Sequence, residues 1–359
     1  LGRFEEALAD YDAAILRYPS SATIHFSRGA TNQALNRLDE AMADYDEAIR
    51  LNPRLAKAYV SRGIINHNLG RLEAALVEFD EALRLSLDYP EALILRGNLN
   101  MELGNSEAAL ADFNETLRHD PENSQAFAGR ANLYHENDQL EEAIGDYSEA
   151  VRLDPQATEI YKGRGLAYQA VGQSEEALAD FEEFILHDSE DADVFTGRAE
   201  SLRALDRHGE ALESYKTALE LDPGQLQAYT GRASILLAIG SLEEALADCD
   251  EAIQQGAGNV AAFYNRGRVY QALGRNEEAL TDYTVAVGID PQNAAIYYSR
   301  GQVNENLGYI EDALADYYKA VSMDPDEAQP YAARGQIYRG LGRLEEALAD
   351  YDEMVRINS

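Results

Sequence analysis

From Leu72 to Leu83 apolar residues recur at 72, 75, 76, 79, 82 and 83, with acidic side chains among the positions between them. Steps of three and four keep these positions on one helical face, so the stretch is predicted to be an amphipathic helix. A shorter helical stretch precedes it, carrying Tyr59 and Gly63 with Arg62 in its middle. Between the two stands Gly70. Glycine, asparagine and aspartate accept the left-handed backbone that ends a helix, so Gly70 reads as a stop signal. The predicted element is a helix, a tight turn and a second helix.

That element recurs without insertion. Arginine stands at 28, 62, 96, 130, 164, 198, 232, 266, 300 and 334, a strict spacing of 34, and the next residue is always Gly or Ala. Twelve residues after that comes an alanine, from Ala41 to Ala347. Four further on comes an aromatic, broken only by Cys249. The stop column reads Asn36, Gly70, Gly104, Asp138, Gly172, Asp206, Gly240, Gly274, Gly308 and Gly342. Second helices open on acids such as Glu141-Glu142 and Glu345-Glu346, which suit the positive end of a helix dipole. Prolines such as Pro53, Pro121 and Pro325 then follow and cannot continue the helix.

A 34-residue helix–turn–helix with Gly/Ala, Ala, aromatic, Ala and Pro columns resembles the tetratricopeptide repeat, and the resemblance covers the whole chain. It implies an all-α fold, a right-handed superhelical solenoid of helix pairs, with first helices lining a concave groove. Residues 1–21 are expected to be a leading half repeat, a second helix alone, and 22–359 ten repeats in one continuous solenoid. One column departs from the family: the residue before the Gly/Ala, commonly Leu, is Arg in all ten copies. Phe184 and Met354 stand where an alanine usually recurs, Ser189 replaces a proline and Ser214 an acid. A bend or soft joint is therefore expected between 184 and 214.

The arginines have partners in the same period. Sixteen residues after each comes an acid, except after Arg198, which has Ser214. Paired columns of opposite charge predict a partly buried ladder: Arg62–Glu78, Arg96–Asp112, Arg130–Asp146, Arg164–Asp180, Arg266–Asp282, Arg300–Asp316 and Arg334–Asp350. Spacing leaves open whether each arginine uses its own repeat or the one before; Arg28, for instance, could use Asp10. The competing reading is a basic stripe that captures acidic peptides.

Charge narrows the partners. Across 359 residues, 30 Lys and Arg face 65 Asp and Glu, a net charge of −35. Such a surface repels phosphate backbones and anionic lipid, so neither nucleic acid nor membrane is an expected partner. No run of eighteen apolar residues exists to span a bilayer. A single cysteine fits a reducing compartment, which favours the cytoplasm. The chain opens on "LGRFEEALADYD" without Met or a signal-peptide pattern, as a fragment of a longer protein would.

Candidate chemistry is sparse. His67 and His135 share a column two periods apart, as do His119 and His187, too far to ligate one metal. There is no His-Glu-x-x-His, no Cys-His pair and no glycine-rich phosphate loop. Cys249 replaces a core aromatic and reads as an inert buried thiol. No catalytic residue, metal or cofactor is expected, and the chain is not expected to be an enzyme.

In the groove that the resemblance implies, the residues two and three before each Arg–Gly step, and one and four after it, should face a ligand. Toward the N-terminus they include Phe26, Val60, Ile64, Ile94 and Met101, an apolar strip. Toward the C-terminus they include Tyr264, Asn265, Arg268, Gln271, Tyr298, Gln302, Glu305 and Arg339. Tyrosine, arginine and amides suit an extended peptide. The family's carboxylate-gripping Lys/Asn set and its asparagine ladder are both absent. Asn32, Asn66 and Asn100 do repeat, in a column where bonding to one another is expected. The expected function is a non-catalytic interaction scaffold holding a protein or peptide in the groove. The alternatives are a substrate-recruiting arm of an enzyme whose catalytic domain lies elsewhere, or a scaffold that self-assembles end to end.

Overall fold

The computed structural model describes residues 2–188 and 190–358; Ser189 lies outside them. Among the described residues all regular structure is α-helical. The chain divides into two compact units, Leu1–Gln173 and Ser174–Ser359.

The first unit holds α1 (Gly2–Arg17), α2 (Ala22–Ala34), α3 (Leu38–Leu51), α4 (Ala56–Asn68), α5 (Leu72–Leu85), α6 (Pro90–Glu102), α7 (Ser106–His119), α8 (Ser124–Glu136), α9 (Leu140–Leu153) and α10 (Thr158–Ala170). The second holds α11 (Ser174–His187), α12 (Ala192–Ala204), α13 (His208–Leu221), α14 (Leu226–Ile239), α15 (Leu242–Gln255), α16 (Val260–Ala272), α17 (Asn276–Ile289), α18 (Ala294–Asn306), α19 (Ile310–Met323), α20 (Ala328–Gly340) and α21 (Leu344–Ile357). Within each unit every helix packs on its chain neighbours, and first helices also touch first helices one repeat away. Each unit is therefore a stack of helix pairs, an α-solenoid.

The stop column does what its composition predicts. Gly240 closes α14 at φ 84°, and an added Cβ there would meet nothing within 4 Å, so only the backbone conformation demands glycine. Asn36, Asp138 and Asp206 hold the same left-handed state at φ 58°, 59° and 57°. The alanine column is the floor of the helix crossing: Ala41 through Ala313 are fully buried and Ala347 is nearly so. A methyl group there lets two helix axes approach closely.

The aromatic column fills the gap between pairs, and glycine makes room for it. A Cβ on Gly301 would lie 2.6 Å from Tyr317 Cε1; on Gly163, one repeat after Tyr147, it would lie 2.7 Å from that ring's Cζ. Each aromatic from Tyr45 to Tyr317 has a glycine sixteen residues before it, sixteen after it, or both. At 249 the two flanks are Ala233 and Asn265, and there the aromatic is replaced by cysteine. Ring size and backbone clearance are matched repeat by repeat.

The two units meet in sequence after Gln173, upstream of the 184–214 stretch. Within the second unit Phe184 is completely buried, and Ser214 takes the acid's place beside Arg198. The second alanine column, seven residues after the first, also breaks at Thr116, which is fully buried and donates to the Asp112 carbonyl at 2.9 Å.

Candidate functional site

Several arginines of the ladder use two repeats at once. Arg96 donates through Nε and Nη2 to Asp112 at 3.0 and 2.7 Å, and through Nη1 to Asp80 of the preceding pair at 2.6 Å. Arg62 reaches Glu78 through Nη2 alone and Asp46 through Nη1, its Nε being buried without an acceptor among the described residues, whereas Arg266 joins Asp282 and Asp250 as Arg96 does its acids. Arg28 reaches back to Asp12, not Asp10. Arg130 takes Asp146 and, in the outer position, Asn114. Arg232, Arg300 and Arg334 grip Asp248, Asp316 and Asp350 alone. Arg164 donates to Ser148 at 3.3 Å; Asp180, its expected partner, is a buried residue of the other unit. The hydrogen bond to Asp282 raises the Arg266 pKa against the opposing effect of burial, and Asp250 adds to it.

Rings cover the guanidinium from the side. Tyr59, Tyr297 and Tyr331, each three residues before an arginine, place their rings 5.6, 5.4 and 5.6 Å from it. The expectation that this column faces a ligand is corrected at these residues: Tyr59, Tyr297 and Tyr331 are buried, their rings lying beside the ladder. The asparagines are corrected too. Asn32 donates to Asp44 at 3.1 Å and Asn100 to Asp112 at 3.4 Å, and Asn304 repeats the contact with Asp316 at 2.9 Å. Asn32 and Asn100 thus bond to the ladder's carboxylates and not to one another, as does Asn304 of the same column.

On the first-helix face of residues 2–173, Ile64, Ile94 and Leu95 line a cavity of about 460 Å³ with Asn98, Gln125 and Asn132 at its edge. Phe26 tilts onto Tyr45, with centroids 5.7 Å apart. Met101 packs against Phe113 and Leu133. Val60, 2% exposed, belongs to the core and is no lining residue.

On the same face of residues 174–359, Tyr264, Arg268 and Tyr298 line a cavity of about 360 Å³ together with Ser299, Asp324 and Glu327. Tyr298 also borders an adjoining cavity of about 430 Å³ with Gln271, Gln302 and Glu305. The Tyr264 hydroxyl lies 3.3 Å from Ser299 Oγ, and the Arg268 guanidinium sits 5.7 Å from the Tyr264 ring centre. Gln302 Nε2 donates to the Tyr298 hydroxyl at 2.9 Å. Gln271 and Glu305 accept from the buried hydroxyls of Tyr283 and Tyr317, both at 2.9 Å, so they anchor the core ring from the outside. Burial raises the Tyr317 pKa, and its hydrogen bond to Glu305 raises it further. Asn265 is 7% exposed and donates to the Thr230 carbonyl at 3.1 Å; it braces neighbouring first helices and does not line the cavity. Arg339 is exposed one repeat beyond.

Sequence reasoning missed Asp324 and Glu327. They lie in the turn between α19 and α20, in "DPDE", where aspartate before proline is easily taken for turn chemistry alone.

Elsewhere the titratable groups are engaged locally. His25 Nε2 is 3.2 Å from the Pro19 carbonyl, His67 Nε2 is 2.8 Å from Glu102, and His119 pairs with Glu115. Cys249 is fully buried, and burial pushes its thiol up to about 12, with the Asp248 charge adding. Among the described residues no three His, Cys, Asp or Glu side chains gather as a metal site, and no helix is long and apolar enough to cross a membrane.

A tetratricopeptide repeat family model matches residues 1–56, 33–90, 94–158 and 196–260. Two further models of that description match 131–199, and 294–327 with 328–359, and a TPR repeat model matches 267–308. A comparison with curated proteins gives no match. Among solved structures, a tetratricopeptide repeat protein from Parabacteroides merdae is 20% identical, covering 69% of this chain and 98% of its own, at a TM-score of 0.51. YrrB, described as a TPR protein with an unusual peptide-binding site, is 28% identical over 52% of this chain and 97% of its own, at 0.45. Yeast Tom70 is 15% identical over 99% and 89%, at 0.48.

Proposed function

Because the chain belongs to the tetratricopeptide repeat family, we propose that it is a non-catalytic interaction scaffold whose first-helix face holds an extended segment of a partner protein. The observation that carries this reading is a division of labour among polar groups. Ladder arginines such as Arg266 are consumed by a buried carboxylate of their own repeat and, in several cases, a more exposed one of the repeat before. Tyr264, Arg268, Tyr298 and Gln302 instead surround open space, and their contacts are mainly with each other. Aromatic and amide groups at a cavity of this size supply rigid contact area and hydrogen bonds for a peptide backbone.

The combined Tyr264→Ala and Tyr298→Ala variant tests it. Affinity capture from native lysate with the wild-type chain should retain a partner that the variant loses, while the variant keeps its helical content and a cooperative melt, at a lower temperature because both rings pack on the core tyrosines. Equal capture by both proteins would overturn this choice of surface.

A further inference from the structure

The cavity between Tyr264 and Tyr298 carries information about what the partner must present. Its two aromatic walls belong to successive first helices, α16 and α18, and its floor is made by the turn before α20. Asp324 and Glu327 stand on that turn, both exposed, and neither is paired with a cation among the described residues. Burial raises the Tyr298 pKa, and the charges of Glu327 and then Glu305 raise it further, so negative potential converges on this ring. Arg268, the cation in the wall, lies against Tyr264 and has no carboxylate partner among the described residues.

We propose that this cavity seats a lysine or arginine side chain of the partner segment, its stem between the two tyrosine rings and its cationic head at Asp324 and Glu327. The inference rests on the scaffold reading and adds the chemistry of the occupant. An anion here would meet two carboxylates against one guanidinium, on a chain of net charge −35. A neutral apolar side chain would leave both carboxylates, which accept only backbone N–H groups of Asp326 and Gln329, without a cation. A cation takes the electron-rich face of Tyr298 and the two charges together, and the whole molecule's field draws a basic segment in. Arg268 then acts as a repulsive wall, which fixes the sign of its effect.

The test uses three peptide pools with randomised flanks that differ only in a fixed central residue: lysine, norleucine or glutamate. Binding to the full chain is read by fluorescence anisotropy. The lysine pool should bind about tenfold tighter than the norleucine pool, the scale of a partly desolvated cation–π contact with a carboxylate beside it. Combining Asp324→Asn with Glu327→Gln should shrink that preference to within about twofold. Neutralising two exposed acids elsewhere, by Glu243→Gln with Glu244→Gln on α15, should leave it intact. Arg268→Ala should strengthen the lysine pool. A glutamate preference, a lysine preference that survives loss of Asp324 and Glu327, or weaker lysine binding in Arg268→Ala would each overturn the proposal. Should the three pools bind alike and the Tyr264→Ala/Tyr298→Ala variant lose them all, the scaffold surface stands and its basic preference falls. If that variant changes nothing for any pool, both fall.

Discussion

Arg266 reaches back sixteen residues to Asp250, its Nη1 donating to Oδ1 at 2.7 Å, while its Nε and Nη2 hold Asp282 sixteen residues ahead. One guanidinium thus joins three helices, α15, α16 and α17. The two acids are not equivalent. Asp282 has 4% of its side chain exposed and Asp250 has 53%. Removing the buried acid strands a desolvated guanidinium, whereas removing the outer one exposes it to water. Asp282→Ala should therefore cost about 3–5 kcal/mol and Asp250→Ala at most about 1 kcal/mol. Urea midpoints of the two variants check this; equal losses would mean the inner pair is no more desolvated than the outer.

Cysteine 249 is a consequence of its neighbours. Ala233 and Asn265 occupy the two positions where other repeats supply at least one glycine, so a ring has nowhere to go. Cys249→Tyr should destabilise the protein by about 1–3 kcal/mol through overpacking. Adding Ala233→Gly should recover most of that loss, because a glycine then faces the ring as Gly267 faces Tyr283. A double-mutant cycle in thermal unfolding measures the coupling, and strict additivity would sink the explanation.

Much of this was legible beforehand, and the residues show why. Arg62 with Glu78 and Arg266 with Asp282 are visible because both partners recur in every period but that of Arg198, and a fixed period forces a fixed geometry. The outer partners were harder: the column holding Asp12, Asp46, Asp80 and Asp250 also holds Asn114, Ser148, Lys216 and Tyr318, so its signal is diluted. Tyr264 and Tyr298 could be placed near one another from their separation by one period, but the floor of their cavity comes from a turn whose side chains follow no helical periodicity. Val60 misled for a related reason. Position on a helix says which way a side chain starts, and the size of its neighbours decides whether it reaches solvent; Tyr59, Leu93 and Leu99 close over this one.

Alkaline pH should weaken the fold in two stages. Cys249 has a folded pKa raised to about 12, so its stabilising contribution is complete below the thiol's unfolded value, near 8.5, and is lost progressively as pH climbs toward 12. The tyrosines of the core column, Tyr147, Tyr215, Tyr283 and Tyr317, are also raised, first by burial, and their contribution declines only above about 10. Melting temperature should begin to fall between pH 8.5 and 10 in the wild type, and in Cys249→Ala that first decline should vanish while the tyrosine decline remains. An unchanged profile would assign the early loss to some other group.

Two glycines of one repeat should respond to substitution for opposite reasons. At Gly301 the backbone is helical and the obstacle is Tyr317, whose Cε1 would lie 2.6 Å from a new Cβ. At Gly308 φ is 81° and nothing lies within 4 Å, so the obstacle is the backbone itself. Gly301→Ala should therefore cost about 1–3 kcal/mol, and shrinking the ring with Tyr317→Leu should make the same change cheaper. Gly308→Ala should cost about 1–2 kcal/mol whatever stands at 317, and Gly308→Asn should cost less, since Asn36 already holds that conformation at φ 58°. The check is the pattern across seven unfolding curves, those of the wild type, the four single variants and the two doubles with Tyr317→Leu: Gly301→Ala must respond to the Tyr317→Leu background and Gly308→Ala must not. If Gly308→Asn proves as costly as Gly308→Ala, the turn requires glycine for a contact, and backbone conformation is not the cause.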